Sequence, residues 1–291
     1  MALAKRVAGS RDEALMTALP LLAEMWSTAL EAVPRWAEHE KPVIVADGTV
    51  HRVAELRVPL RANRAYVVGA RQRHLEQVSE LIEVKSLSFN DLQVEDLSPL
   101  QRIQGLEWLS ITWNTKVTSL EPLASLRRLT RLSISDTPKV RDLDPIGSLT
   151  NLVALNFSGG IWNKATAATL EPIARLAALE ELCLTNIKIL EGGLRPLALS
   201  RRLRRIELSN QFETADYAYL SVALPDAVCT HFAPYVPVGI GGLGDAMVVG
   251  RRKPFLDSTR HADRLARYVA DFERLQAEFR EQLAAPSRGR R

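Results

Sequence analysis

The sequence predicts an α/β solenoid, a stack of short repeats in which each repeat contributes one strand and one helical turn. Two observations predict this fold class: a leucine–x–proline–leucine motif that returns along the chain, and an apolar spacing that keeps step with it. Successive prolines of the motif are 23, 23, 27 and 24 residues apart, a period that is typical of a stacked repeat array. The five copies of the motif occupy residues 97–100, 120–123, 143–146, 170–173 and 194–197.

The second motif reads apolar-x-x-apolar-x-apolar. Its last two apolar residues are two positions apart, so they face one side of a strand. The proline of the first motif then starts a helical turn, where its missing N–H costs no hydrogen bond. The copies are Val84, Leu87, Phe89; Leu106, Leu109, Ile111; Leu129, Leu132, Ile134; Leu152, Leu155, Phe157; Leu179, Leu182, Leu184; and Leu203, Ile206, Leu208.

One such unit cannot bury its own apolar face, whereas stacked units share a continuous core. Over about residues 84–211 the two motifs resemble the leucine-rich repeat family, and most closely its short bacterial, internalin-like subclass. The sequence departs from that family at the asparagine three positions after the third apolar residue, where only Asn114 matches. The resemblance implies a parallel sheet on the concave face, short helical or 3-10 turns on the convex face, and a role in binding.

Four segments are predicted. Residues 1–70 form a helical and α/β cap, 71–211 the repeats, 212–256 a C-terminal cap with a glycine-rich loop, and 257–291 an amphipathic helix with a basic tail. In the first segment, apolar residues recur at helical spacing over 12–36. This stretch is either a cap over the open end of the solenoid or a partner-binding helix, and we favour the cap. Residues 43–45 and 66–68 read as strands, with turn residues at Asp47-Gly48.

The last segment carries an apolar stripe over 258–284 with Asp257 or Ser258 as its N-cap. The stripe docks either on the body of the chain or on a second copy. Residues 239–244 match G-x-G-x-x-G, but no βαβ unit surrounds them, so a turn is favoured over a dinucleotide site.

The amino-acid composition of the chain narrows the classes of function that it fits. Hydrophobic residues make up 46% and charged residues 25% of the 291 residues, as in ordinary globular proteins. A net charge of +4 does not by itself call for nucleic acid. Two cysteines without a CxxC motif predict no disulfide framework and fit a reducing, cytoplasmic setting, and arginine and alanine usage suggests a bacterial source. No uninterrupted apolar run reaches about 18 residues, so no membrane span is expected.

No catalytic constellation is predicted. Cys183 falls on the outward side of a strand, but no histidine falls in a neighbouring column to act as its base. Cys229 and His231 are too few ligands for zinc. We therefore expect a non-enzymatic protein without a cofactor or a metal.

The predicted binding site consists of strand residues that face away from the core, together with residues just after the strands. Small hydroxyl side chains leave room for a partner, exposed aromatic side chains anchor interfaces, and charges set association rates. Trp108 and Trp113 could instead lie over a cap or under the C-terminal helix. Trp162, in a lengthened loop, is either a contact residue or a plug for a gap. The predicted site residues are Trp108, Ser110, Trp113, Arg131, Ser133, Asp136, Asn156, Trp162, Glu181 and Arg205.

These observations predict a non-catalytic protein–protein interaction module that binds a protein or peptide on the concave face, in an adaptor, inhibitor or immunity-type role. One alternative is a nucleic-acid-associated adaptor that uses the arginine clusters at 201–205, 251–253 and 288–291. Mixed charges on the concave face argue against it. Another alternative is a recognition subunit whose C-terminal helix docks an enzyme or a second copy.

Overall fold

A computed structural model describes residues 19–22, 24, 41–240 and 244–285. Within them, one nine-stranded sheet runs in the order β13-β11-β9-β8-β7-β6-β4-β1-β2. The strands are β1 Val43–Ala46, β2 Thr49–Arg52, β3 Leu60–Arg61, β4 Arg64–Val68, β5 Ile82–Glu83, β6 Ser86–Asn90, β7 Trp108–Thr112, β8 Arg131–Ser135, β9 Ala154–Ser158, β10 Ala165–Ala167, β11 Glu181–Leu184, β12 Ile187–Ile189, β13 Arg205–Leu208, β14 Tyr235–Ile240, β15 Gly244–Val248 and β16 Phe255–Leu256. The predicted α/β solenoid is confirmed.

Helical turns cover the other side of the repeats. The α-helices are α1 Gln72–Leu81, α2 Asp144–Gly147, α3 Glu171–Ala174, α4 Thr214–Ala223 and α5 Ala262–Ala284, and the 3-10 helices are Val53–Glu55, Ser98–Arg102, Glu121–Ser125 and Arg195–Leu199. All five predicted proline motifs form such a turn, with the proline among its first two residues. Proline suits this place because its ring pre-sets the backbone angle and no hydrogen bond is lost.

The repeat strands pair in parallel and in register from β6 to β13. The middle apolar residue of each strand, such as Leu132, Leu155 and Leu182, therefore stacks on its neighbours and is fully buried in one continuous core. The single family-type asparagine, Asn114, is also buried. Its Oδ1 accepts the amides of Lys116 and Val117 at 2.8 and 3.0 Å, so it closes the turn that follows β7.

The leading edge of the sheet is an antiparallel hairpin. β1 and β2 join across Asp47-Gly48, both of which have positive φ, and this geometry matches the twist of a two-residue hairpin. β1 then pairs antiparallel with β4, which continues in parallel into β6. The predicted strands at 43–45 and 66–68 are thus present, and they extend the repeat sheet.

The predicted helix over 12–36 lies mainly outside the described residues. Residues 20–22 and 24 are helical. Leu19 and Leu22 pack on Ala154 of β9 and Cys183 of β11, the third and second strands from the β13 edge of the sheet. The described part of the expected end cap therefore lies across a face of the sheet, because its leucines find apolar surface there.

The C-terminal part closes the other end of the repeats. α5 packs along α4, and Leu265, Phe272 and Phe279 are buried, so its apolar stripe docks on the body of the same chain. The helix begins four residues later than predicted, because the Asp257 carboxylate accepts the amides of residues 259 and 260 and holds a separate turn. The glycine-rich stretch joins β14 and β15, which are antiparallel, so the βαβ context of a dinucleotide site does not occur there. The glycines at 241–242 and the tail after 285 lie outside the described residues.

Candidate functional site

The face of the sheet that points away from the main core is called the concave face here. One column of residues runs straight across it, because the strands are in register: Arg64, Ser86, Trp108, Arg131, Ala154, Glu181 and Arg205. A second column contains Ser110, Ser133 and Asn156. The predicted site residues of the strands therefore lie side by side.

Ser110, Ser133 and Asn156 of the second column are buried, and Asn156 is hydrogen-bonded to serines of the neighbouring strand. The Asn156 amide donates to the hydroxyls of Ser133 and Ser135, at 2.9 Å in each case, and Ser135 shares a 3.1 Å hydrogen bond with Ser158. The Asn156 Oδ1, by contrast, has no hydrogen-bond partner among the described atoms. This column presents small polar groups with one unused buried acceptor.

The chain's own residues 19–22 lie against this face. Leu19 and Leu22 are fully buried in a small apolar cluster, separate from the main core, with Ala154 and Cys183. The partly buried Leu21 and Trp108 pack against the same cluster. Ala154 lies in the first column and Cys183 in the second, and their short apolar side chains give the two leucines a surface to pack on.

Glu181 is the polar anchor for this segment. Its carboxylate is fully buried and accepts the backbone N–H groups of Leu21 and Leu22 at 3.0 and 3.1 Å. The guanidinium of Arg205 donates to the same carboxylate at 2.9 Å. A buried carboxylate needs such partners, and here it receives the first free amides of a helical turn.

A second anchor is positively charged, in contrast to the Glu181 carboxylate. The guanidinium of Arg131 lies 3.8 Å from the ring centre of Trp108, and that of Arg64 lies 5.2 Å from it. Both arginines pair with the carboxylate of Glu24, at 2.7 Å for Arg131 and 3.4 Å for Arg64. Trp108 therefore holds two guanidinium groups in place on a carboxylate, through cation–π contacts.

The rim after the strands has a different character. Asp91, Trp113, Asp136 and Asn186 follow their strands with positive φ. Trp113 is 50% exposed, and Trp162 at the tip of the lengthened loop is 89% exposed. The base of that loop is held by Asn163, which donates to Asp136 at 3.1 Å. Trp162 therefore does not plug a gap, and Trp113 is not covered by α5.

Six of the ten predicted residues fall into two groups. Trp108, Arg131, Glu181 and Arg205 meet at the chain's own N-terminal segment, whereas Trp113 and Trp162 are open at the rim. Sequence reasoning missed Arg64 and the two leucines of the occupying segment. Arg64 could have been found, because Tyr66 and Val67 continue the strand register one repeat earlier than the motif was followed.

The titratable groups of the C-terminal cap are shielded. Burial raises the pKa of the Cys229 thiol to about 12 and lowers the pKa of His231 to about 4. A thiol with such a pKa is not a thiolate nucleophile near neutral pH. Among the described residues, no group of three His, Cys, Asp or Glu side chains is arranged to hold a metal.

In the two arginine clusters that the structure describes, 201–205 and 251–253, several arginines pair with acidic side chains. Arg202 pairs with Glu180 and Arg204 with Asp226, while Arg251 pairs with Glu213 at 2.5 Å. An arginine that is already paired with a carboxylate contributes less to a positive potential that could bind a phosphate backbone. In the described part of the chain, no helix combines the length and apolar character that crossing a bilayer requires.

No protein-family model matches the chain, and no curated protein matches it. Solved structures with a similar fold include an internalin C2 of Listeria monocytogenes, with 19% identity over 58% of this chain and 70% of that one, and a TM-score of 0.44. An internalin F of the same organism has 16% identity over 66% and 64% and a TM-score of 0.38. A leucine-rich repeat protein of Leptospira interrogans has 16% identity over 54% and 50% and a TM-score of 0.37.

Likeness at this level concerns the fold alone, so the assignment rests on this chain's own repeats. Its strands stack in parallel at the period of the motif, its proline turns cover the convex side, and Asn114 closes the turn that follows β7. The chain therefore has the leucine-rich repeat fold, and resembles the bacterial internalin-like proteins of that class.

Proposed function

We propose that this protein is a non-catalytic interaction module that binds a protein or peptide on its concave face. The observation that carries the proposal is the segment at residues 19–22, which is held there by two backbone hydrogen bonds to Glu181 and by two buried leucines. A surface that holds one peptide segment in this way has the chemistry to hold another. Adaptor, inhibitor and immunity-type roles all use such a surface.

The composition of the face supports a protein ligand. Interfaces combine aromatic and arginine anchors with small polar groups, and they leave few buried polar atoms unpaired. Trp108 and Arg131 provide the anchors, and the Asn156 Oδ1 offers a buried acceptor with no partner among the described atoms. Opposite charges alternate along the column, as Arg131, Glu181 and Arg205, and such a pattern suits a polypeptide better than a phosphate backbone.

The rim extends the surface. Trp113, Ile161 and Trp162 are exposed large apolar side chains, which in an interface exclude water around the central contacts. Neither Cys183 nor Cys229 forms a disulfide in the described part of the chain, and a cytosolic location fits reduced thiols.

The test is site-specific photo-crosslinking in the full-length chain. A photoreactive phenylalanine analogue replaces Trp113 on the concave rim, and in a control protein it replaces Gln104, an exposed residue that follows the 3-10 turn on the convex side. Both proteins are illuminated in a lysate of the source organism, with and without nuclease. We expect a discrete protein adduct from position 113 that survives nuclease and is missing from position 104.

Equal adducts at the two positions would mean that the concave face has no special role. An adduct that contains nucleic acid or depends on it would replace the proposal with the nucleic-acid alternative. Thermal melting of both proteins checks that neither analogue disturbs the fold.

A further inference from the structure

We infer that the concave face recognises a leucine-bearing helical turn followed by an acidic side chain, that residues 19–22 and Glu24 are its built-in occupant, and that a partner binds by presenting the same chemistry and displacing them. This inference rests on the proposed function and names both the ligand class and the regulation of that site. Three contacts define the ligand.

The first contact is apolar and is made by Ala154, Cys183 and Trp108, which together are called the seat. Leu19 and Leu22 are three residues apart, so they lie on the same side of a helical turn. Both pack on Ala154 and Cys183, and the ring of Trp108 borders them. The seat is separate from the main core, so emptying it leaves the repeats intact.

The second contact recognises the start of a helix. The first amides of a helix have no partner within it, and Pro20 contributes none because proline lacks an N–H. The next two amides, those of Leu21 and Leu22, both donate to Glu181. Glu181 acts as an N-cap supplied from another part of the fold, and Arg205 holds its carboxylate in position.

The third contact recognises an acid. Glu24 lies two residues after the second leucine, and its carboxylate reaches the paired guanidinium groups of Arg131 and Arg64. Both groups are held against Trp108. A ligand therefore needs two leucines three apart, free amides at the second leucine and at the residue before it, and a carboxylate within the following turn.

An occupant of this size is displaceable. The five described residues of the occupant are few beside the roughly 20–30 residues a side of a standard protein interface, and tethering to the same chain raises its effective concentration to about the millimolar range. The occupant thus blocks weak ligands and yields to a partner that binds the same anchors and adds rim contacts.

The experiment measures binding of a fluorescent peptide of residues 17–30 to the full-length chain by anisotropy. Four proteins are compared: wild type, Leu22→Asp, Leu22→Asp with Glu181→Gln, and Leu22→Asp with Glu180→Gln. Leu22→Asp empties the seat, because an aspartate is not buried unpaired. Glu180 is the matched control, since it neighbours Glu181 but pairs with Arg202 instead.

We expect the Leu22→Asp protein to bind the peptide at least about tenfold more tightly than wild type, because the tethered competitor is removed. Adding Glu181→Gln should weaken binding by about tenfold, since a charged acceptor becomes neutral. Adding Glu180→Gln should change it by less than about twofold. A peptide with Glu24→Ala should bind about two- to fivefold more weakly, because the Glu24 carboxylate is half exposed and its ion pairs are partly screened.

The inference is overturned if Leu22→Asp does not strengthen binding, or if Glu181→Gln and Glu180→Gln act alike. If Leu22→Asp lowers the melting temperature strongly, Glu24→Arg serves as the releasing change, because it repels Arg64 and Arg131 without entering an apolar cluster. If the peptide-binding results contradict the inference while a protein adduct still forms at position 113, only the displacement of the chain's own segment by a partner is rejected. If the expected changes in peptide binding and the protein adduct at position 113 are both missing, the proposed function is rejected as well.

Discussion

At the scale of single residues, Trp113 is the most unusual side chain of the rim. Its backbone has a φ of +61°, a conformation that disfavours residues with a bulky side chain. The equivalent positions of other repeats hold Asp91, Asp136 and Asn186, residue types that tolerate this region. A tryptophan that is half exposed and set in a strained conformation fits a binding role better than a structural one.

The strain at Trp113 is testable with two truncations that both remove the ring. Trp113→Gly should be more stable than Trp113→Ala by about 1 kcal/mol, because only glycine enters the left-handed region without penalty. Denaturant unfolding of both proteins measures the difference. At a position with ordinary strand backbone angles, the alanine variant is the more stable of the two. A Trp113→Ala protein more stable than Trp113→Gly would therefore contradict the strained conformation.

At the scale of elements, α5 belongs to the body of the molecule. Its Gln276 donates to Ser221 of α4 at 2.8 Å, and Phe279 meets Tyr219 edge to face with ring centres 5.4 Å apart. Arg195, from the last proline turn, lies over both rings at 4.6 and 5.4 Å. These contacts tie α5 to the repeats, which weakens the hypothesis that its apolar stripe recruits an enzyme.

Truncation of the stripe should therefore destabilise the chain. Phe272→Ala should lower the free energy of unfolding by about 3–5 kcal/mol, the usual loss for a buried phenylalanine. Leu283→Ala, near the end of the same helix and half exposed, should cost less than about 1 kcal/mol. Thermal melting and urea unfolding compare the two. Equal, small effects would mean that α5 is a loosely held arm.

At the scale of the whole molecule, a stack of repeats needs both ends sealed. The C-terminal seal is built around Tyr217, whose hydroxyl donates to the Ser209 carbonyl at 2.5 Å and accepts the amides of residues 211 and 212. His231 stacks on Tyr217 with ring centres 5.5 Å apart. Neither nitrogen of His231 has a hydrogen-bond partner among the described atoms, so the ring is buried in its neutral form.

Stability should therefore depend on pH through His231. Burial lowers its pKa in the folded state to about 4, whereas the pKa in the unfolded chain is about 6.5. The unfolded chain thus binds the proton more readily, and the folded state loses up to about 3 kcal/mol as the pH falls from 6.5 to 4. Above pH 6.5 the contribution is constant.

Unfolding free energies of wild type and His231→Gln between pH 4 and 8 measure this contribution. Their difference should shrink as the pH falls, and the subtraction removes other groups, such as Asp216, whose burial raises its pKa and acts in the opposite direction. A difference that is constant with pH would show that His231 is not buried neutral.

The sequence by itself determined the repeat architecture. The strand register, the proline turns and the buried leucines follow from short motifs, because each repeat meets only its neighbours and the period is local information. The column that contains Trp108, Arg131, Glu181 and Arg205 follows from the same register. Arg64 lies on β4, which precedes the first clear copy of the motif. One of the two arginines that pair with Glu24 was therefore not found.

The tertiary structure alone decided what lies on the concave face. Glu24 and Arg131 are 107 residues apart in sequence, and Leu21 and Glu181 are 160 apart. No repeat period relates them, since the contact forms between a segment outside the repeats and the finished surface. A helical apolar pattern shows that such a segment must bury one side, but only the shape and charge of the assembled face determine where.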